Sequence, residues 1–232
     1  MRIAIFMANT DESAFAQRHP KDGAKFTDLM ALARPHWTYP VFAVKDGVFP
    51  TDLGELDGVI ITGSPASANA GEPWMQELEA LIRTLLAREI PIFGACFGHQ
   101  IVAKAVGGRV ARNPQGWVKG VVQADYAEGP LLAYASHTEQ VVDLPAGAEM
   151  IASSAGCPVA AFRIPGQVET TQYHPEMTPE FFEALLEEVA PTLPAKVVDQ
   201  ARASLAAVPS REAWAARMTR FFETLAVSPA KT

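Results

Sequence analysis

Short apolar runs and amphipathic stretches alternate through the first hundred residues. Residues 2–8, 39–44, 59–62 and 90–94 are apolar segments of strand length, and such segments between turn signals predict buried strands. Between the last two, the stretch EPWMQELEALIRTLLARE places Trp74, Leu78, Leu81, Ile82 and Leu85 on one face at helical spacing, with Pro73 in a first-turn position. Another helix is expected over 97–106, ending at the stop signal Gly107-Gly108. This alternation predicts a parallel sheet covered by helices on both faces. After Arg109 the pattern changes: runs at 118–124, 149–152, 159–164 and 168–173 predict hairpins or extra antiparallel strands, followed by a helix over 179–189. The fold class is therefore α/β, a mostly parallel open sheet with added antiparallel strands and a helical C-terminal tail.

The tail differs in charge as well as in pattern. Residues 190–232 hold six Lys or Arg and three Asp or Glu, whereas residues 1–189 hold 13 and 23. Two helices are expected there, over 195–207 and 211–226, and in the second Trp214, Met218, Phe221, Phe222 and Leu225 form an apolar stripe that has to be covered. Docking onto the acidic part of the same chain would cover it; a partner or dimer surface is the alternative. The division expected is a domain over 1–189 and a helical extension over 190–232.

At 232 residues the chain can bury one substantial core. Hydrophobic residues at 49%, charged residues at 19% and a mean hydropathy of +0.07 exclude the disordered and membrane classes. The net charge of −7, with no stripe of Lys or Arg, argues against a nucleic-acid partner. No apolar run reaches the ~20 residues that span a bilayer, so no membrane partner is expected. The opening apolar run lacks a cationic leader and is expected to be a strand. Cys96 and Cys157 form no metal or redox pair, which fits a reducing cytoplasm.

Three stretches carry candidate chemistry. In IPIFGACFGHQ, residues 90–100, an apolar strand runs into Gly94-x-Cys96-x-Gly98 and then a helix. A nucleophile on a sharp strand-to-helix turn needs small neighbours, and a thiol at a helix N-terminus beside an imidazole ionises more readily. In TQYHPE, residues 171–176, His174 and Glu176 are two apart on an extended chain and share a side, while Pro175 stops the strand. That spacing suits a general base and the carboxylate that orients it. In ITGSP, residues 61–65, a strand breaks into a small-residue loop. An oxyanion hole in an elbow enzyme takes one N–H from the residue after the nucleophile, here Phe97, and another from a neighbouring loop, here Gly63 or Ser64; Pro65 has none to give.

Together these stretches resemble the class I, or triad, glutamine amidotransferases, whose pattern runs G-G-P, G-x-C-x-G-x-Q and H-x-E. The resemblance covers about residues 1–189 and implies a flavodoxin-like sheet, Cys96 as nucleophile, His174 and Glu176 as its partners, and Gln100 as a contact to the amino-acid end of glutamine. Ser136, His137 and Thr138 match the stretch that lines the same pocket. Ser64 stands where the family usually has its second glycine, and Thr170-Thr171 where it commonly has Gly-Val. His99, one turn from Cys96, is expected to pack; His19 and His36 fall on the surface or in loops, and Cys157 in the core.

The implied chemistry is attack of Cys96 on a side-chain carboxamide, giving a γ-glutamyl thioester that water resolves. It requires neither metal nor cofactor. The chain carries no phosphate-binding loop with which to activate a nitrogen acceptor. Three readings stay open: a free-standing hydrolase of γ-glutamyl compounds, a glutaminase subunit feeding ammonia to a separate synthetase, and a non-catalytic glutamine-binding regulator. The sequence looks more like the free-standing GMP-synthase-like and γ-glutamyl peptidase relatives. In each reading the site takes a small-molecule substrate or ligand, and both a synthetase partner and a homodimer stay open.

Overall fold

The structure is a computed structural model and describes residues 1–226. The end of the expected extension, residues 227–232, lies outside the described residues. Five parallel strands make one half of the main sheet: β1 (Ile3–Phe6), β2 (Val41–Phe42), β3 (Gly58–Ile61), β4 (Ile92–Ala95) and, later in the chain, Val168–Thr171. Two helices precede β2, α1 (Ala14–Arg18) and α2 (Asp22–Ala33); α3 (Pro73–Ala87) joins β3 to β4, and α4 (Phe97–Ala105) follows β4. Beyond α4 come β5 (Arg109–Arg112), β6 (Val118–Tyr126), β7 (Gly129–His137), β8 (Glu139–Asp143), β9 (Glu149–Ser154), β10 (Cys157–Ile164) and β11, the Val168–Thr171 strand already placed. The described residues end in α5 (Pro179–Val189), α6 (Ala195–Ser204) and α7 (Arg211–Ala226). The main sheet runs β2-β1-β3-β4-β11-β10-β9-β6-β7, antiparallel from β10 outward, and β5 and β8 pair as a separate ribbon.

Alternation along the buried strands builds two cores. Ala4, Phe6, Val59, Ile61 and Ile92 face the side covered by α3 and α4, with Trp74, Leu78, Ile82, Phe97 and Ile101 packed on them. Ile3, Ile5, Ile60 and Phe93 face the other way, onto Phe26, Leu29 and Met30 of α2 and Trp214, Met218 and Phe222 of α7. This follows from the period of two along a strand. The apolar stripe of the tail is thus spent on the chain's own sheet. Trp214 also donates its indole N–H to the Leu132 carbonyl over 2.8 Å, and Arg34, just past the end of α2, pairs with Glu223 of α7.

Five elements escaped the sequence pattern, α1, α2, β5, β7 and β8, and the two longest show why. The helix α2 opens with Asp22-Gly23 next to Pro20, a turn-like composition, yet its Phe26, Leu29 and Met30 have helical spacing. The strand β7 begins Gly129-Pro130 and forms an edge, where proline is tolerated and the pattern is weak.

Candidate active site

The end of β4 and the start of α4 make an elbow. Cys96 sits between them at φ 51°, ψ −105°; among the described residues Glu89 is the other non-glycine with positive φ. Such backbone is held only when its surroundings over-determine it, and here they do. Cys96 N–H donates to the Thr171 carbonyl of β11 (2.9 Å), and Gly98 N–H to Thr62 at the end of β3 (3.1 Å). Gly98 has to be glycine for a steric reason, since a Cβ there would lie 2.2 Å from the Ile61 carbonyl oxygen.

At the end of β11 the chain delivers His174 and Glu176. The N–H of His174 donates to the Tyr134 carbonyl of β7, an isolated bridge that ties the segment to the outer edge of the antiparallel half. Nδ1–H of His174 donates to Glu176 Oε1 over 2.8 Å, and Glu176 is 1% exposed. Burial alone would lower the His174 pKa, but the adjacent Cys96 sulfur and the Glu176 carboxylate reverse that and raise it well above 6.5. Gly63, at the end of β3, presses on the same imidazole: a Cβ there would lie 2.8 Å from His174 Cε1 and 3.5 Å from Cys96 Cβ. The loop, the elbow and the H-x-E segment therefore converge on one point.

Cys96, 4% exposed, opens onto a cleft of about 450 Å³ lined also by Gly63, Ser64, Gln100, Ser136, His137, Thr138 and His174. The sequence-predicted residues thus meet, with two refinements. Ser64 is not at positive φ, so the loop does not need glycine there. The Gln100 amide nitrogen donates to the Glu139 carbonyl (2.8 Å) and to Gln172 Oε1 (3.2 Å), which leaves its oxygen for other partners.

Other groups went unnoticed in the sequence. Gln172 is fully buried and directs its amide nitrogen at Cys96 Sγ, 3.8 Å away. The alternation that pairs His174 with Glu176 also reaches Gln172, two residues earlier, so the signal was there. His19 lies in the loop after α1, as expected, and lines the cleft with Phe15 and Phe181. His99 packs away from the sulfur with Nδ1 2.8 Å from Thr170 Oγ1, and burial followed by the neighbouring His137 drops its pKa to about 3. His137 is likewise driven down to about 4 by burial, so both rings are neutral near pH 7. Cys157 is buried in the second core.

An open α/β sheet whose elbow presents a thiol to an imidazole–carboxylate pair has the layout of an acyl-transfer enzyme. The family model of class-I glutamine amidotransferases matches residues 36–189, and the chain belongs to that family; it is an enzyme of the glutamine amidotransferase type. It is similar to a glutamine amidotransferase-like protein of Schizosaccharomyces pombe, 35% identical over 139 residues, with only 56% of each chain covered. It is also similar to gamma-glutamyl peptidase 3 of Arabidopsis thaliana, 27% identical over 233 residues, covering 92% of this chain and 93% of that one. Among solved structures, a glutamine amidotransferase of Thermotoga maritima superposes with a TM-score of 0.76 over 98% of both chains at 21% identity, a likeness of fold. No helix among the described residues is long and apolar enough to cross a membrane.

Proposed function

We propose that this chain is a free-standing hydrolase of γ-glutamyl compounds, with Cys96 as nucleophile, His174 as its proton carrier and Glu176 as the group that orients the imidazole. The thiolate attacks the γ-carbonyl carbon, and the N–H groups of Phe97 and of Gly63 or Ser64 hold the oxyanion. His174 gives its proton to the departing amine as the C–N bond breaks. Water then adds to the thioester, His174 takes the water's proton, and the γ-carboxylate leaves as the thiolate is restored. One oxyanion donor in such a site is worth about 100- to 1,000-fold in rate.

The observation that carries this reading is the convergence of a strained, cleft-facing Cys96 with the His174–Glu176 pair. Two further observations favour a free-standing enzyme on substrates larger than glutamine. The tail's apolar stripe is buried on the chain's own sheet, and the cleft that Cys96 borders is also lined by Phe15, Phe181, Leu185 and Leu193. Its volume falls within the roughly 300–1,000 Å³ of ordinary ligand pockets. The similarity to a gamma-glutamyl peptidase over nearly the whole chain points the same way.

The test is to incubate the purified chain, without ATP, with glutamine, γ-glutamyl anilide and γ-glutamyl peptides, following amine release and trapping the thioester on Cys96 by mass spectrometry. Release from the peptides in excess of glutamine is expected. Turnover that appears only when a synthetase from the same cell is added would replace the proposal with the subunit reading, and binding without turnover would replace it with the regulator.

A further inference from the structure

The cleft wall carries a cation that no carboxylate pairs with among the described residues. Lys119 projects from β6 into the cleft, where Nζ donates to Ser136 Oγ over 2.9 Å and lies 5.7 Å from the centre of the Phe182 ring and 5.9 Å from that of Trp117. An ammonium has three N–H donors, and one is accounted for. The other lysines of the cleft are neutralised: Lys25 by Asp22, Lys21 by Glu12, and Lys45 by Glu12 and Asp46. Among the described residues Lys119 takes part in no ion pair. Burial lowers its pKa to about 8, against an opposing pull from Cys96, so at neutral pH it is still mostly an ammonium.

A mostly desolvated charge without a partner is costly to keep. Nothing in the proposed chemistry uses it. The proton carrier is His174, and Lys119 is held by Ser136, on the stretch expected to meet the amino-acid end of the substrate. Beyond its pull toward the Cys96 sulfur, such a group is placed to receive an anion that arrives with the substrate.

We propose that Lys119 is the anchor for a substrate carboxylate, and that it makes this enzyme selective for γ-glutamyl compounds that carry one within reach of the cleft wall beside Ser136. This rests on the γ-glutamyl reading above. A γ-glutamyl peptide has two sources of that carboxylate, the α-carboxylate of the glutamyl group and the carboxylate of the departing residue. In either case the bond is a charge-assisted one from Nζ, with Ser136 Oγ fixing the ammonium.

The experiment compares wild type, Lys119→Met and Lys119→Arg on four compounds: γ-glutamyl-glycine, its glutamyl α-amide, its glycine amide, and the doubly amidated form. A hydrogen bond to a charged group is worth about 10- to 100-fold. Wild type should prefer a carboxylate-bearing compound over its amidated partner by that factor in kcat/KM, mainly through KM. Lys119→Met should erase the preference and Lys119→Arg should keep much of it. Loss that follows the α-amide places the ammonium on the glutamyl side, and loss that follows the glycine amide places it on the leaving side; both uphold the anchor. A Lys119→Met protein, folded by circular dichroism, that keeps the wild-type preference would overturn it, as would an equal fall on all four compounds. If wild type hydrolyses none of the four, the γ-glutamyl reading itself fails and the anchor falls with it.

Discussion

The two thiols of this chain are both buried, yet only one is arranged for chemistry. Cys96 stands on strained backbone at a helix N-terminus, borders the cleft and faces a paired imidazole. Cys157 begins β10 and points into the second core. Its thiol contacts the Val159 carbonyl at 3.5 Å, and burial pushes its pKa up to about 12. Burial by itself makes a thiol inert, because it penalises the charged form. Cys96 differs in its backbone, which the elbow turns toward a cavity, and in its neighbour, the His174 imidazole delivered from the end of β11.

The largest effect should come from removing what sets Cys96 apart. Cys96→Ala and His174→Ala are each expected to lower kcat by about 10,000-fold or more, while Cys157→Ala keeps wild-type kcat/KM. Mass spectrometry after brief exposure to a glutamine-like chloroketone should find the label on Cys96; label on Cys157 in folded protein would dissolve the contrast. Glu176→Gln should retain roughly 100-fold more activity than His174→Ala, since orienting the ring is a smaller task than moving the proton.

Next in size is a steric test. Gly63→Ala sets a methyl 2.8 Å from His174 Cε1. Displacing an imidazole by a fraction of an ångström to an ångström costs about 100-fold in kcat, with little loss of stability in thermal unfolding.

The pH profile sharpens the comparison further. In the proposed mechanism His174 must be protonated to release the amine, and a pKa raised above 6.5 keeps that proton in place as pH rises. The alkaline limb of kcat/KM should therefore lie above pH 6.5. Glu176→Gln removes one of the raising causes and should move that limb to lower pH. A limb that does not move would detach Glu176 from the imidazole.

The smallest effects on activity belong to the cores. Trp214→Ala should destabilise by about 3–5 kcal/mol in chemical denaturation without altering KM. The indole is buried and bonded to Leu132, far from the thiol in the chain and in the opposite core from α4. Cys157→Ala should cost about 1 kcal/mol.

Much of this was readable in the residues because the signals are local. The elbow is spelled out by Gly94, Cys96 and Gly98 within five positions, and the pair His174–Glu176 by alternation along one strand end. The tail stripe Trp214, Met218, Phe221 and Phe222 declared by its spacing that it would be covered. Weak local signals lost the short elements α1, β5 and β8, each of five residues or fewer, and also the helix α2 and the edge strand β7, where Gly and Pro mask an otherwise ordinary pattern.

What the sequence alone determined was the alternating α/β class of the fold, the two-sided burial of the central strands and the identity of the triad candidates. All of these follow from periods of two and 3.6 and from the small residues a tight turn demands. Tertiary structure decided which side chains meet. That Gly63 is required by the His174 ring, that Gln172 turns its amide to the thiol, and that Lys119 lines the cleft with no ion pair among the described residues depends on contacts between strands far apart in the chain. Neither composition nor spacing encodes such distances; they arise when β3, β4, β11 and the β6–β7 hairpin are packed into one sheet and their ends are brought to a common edge.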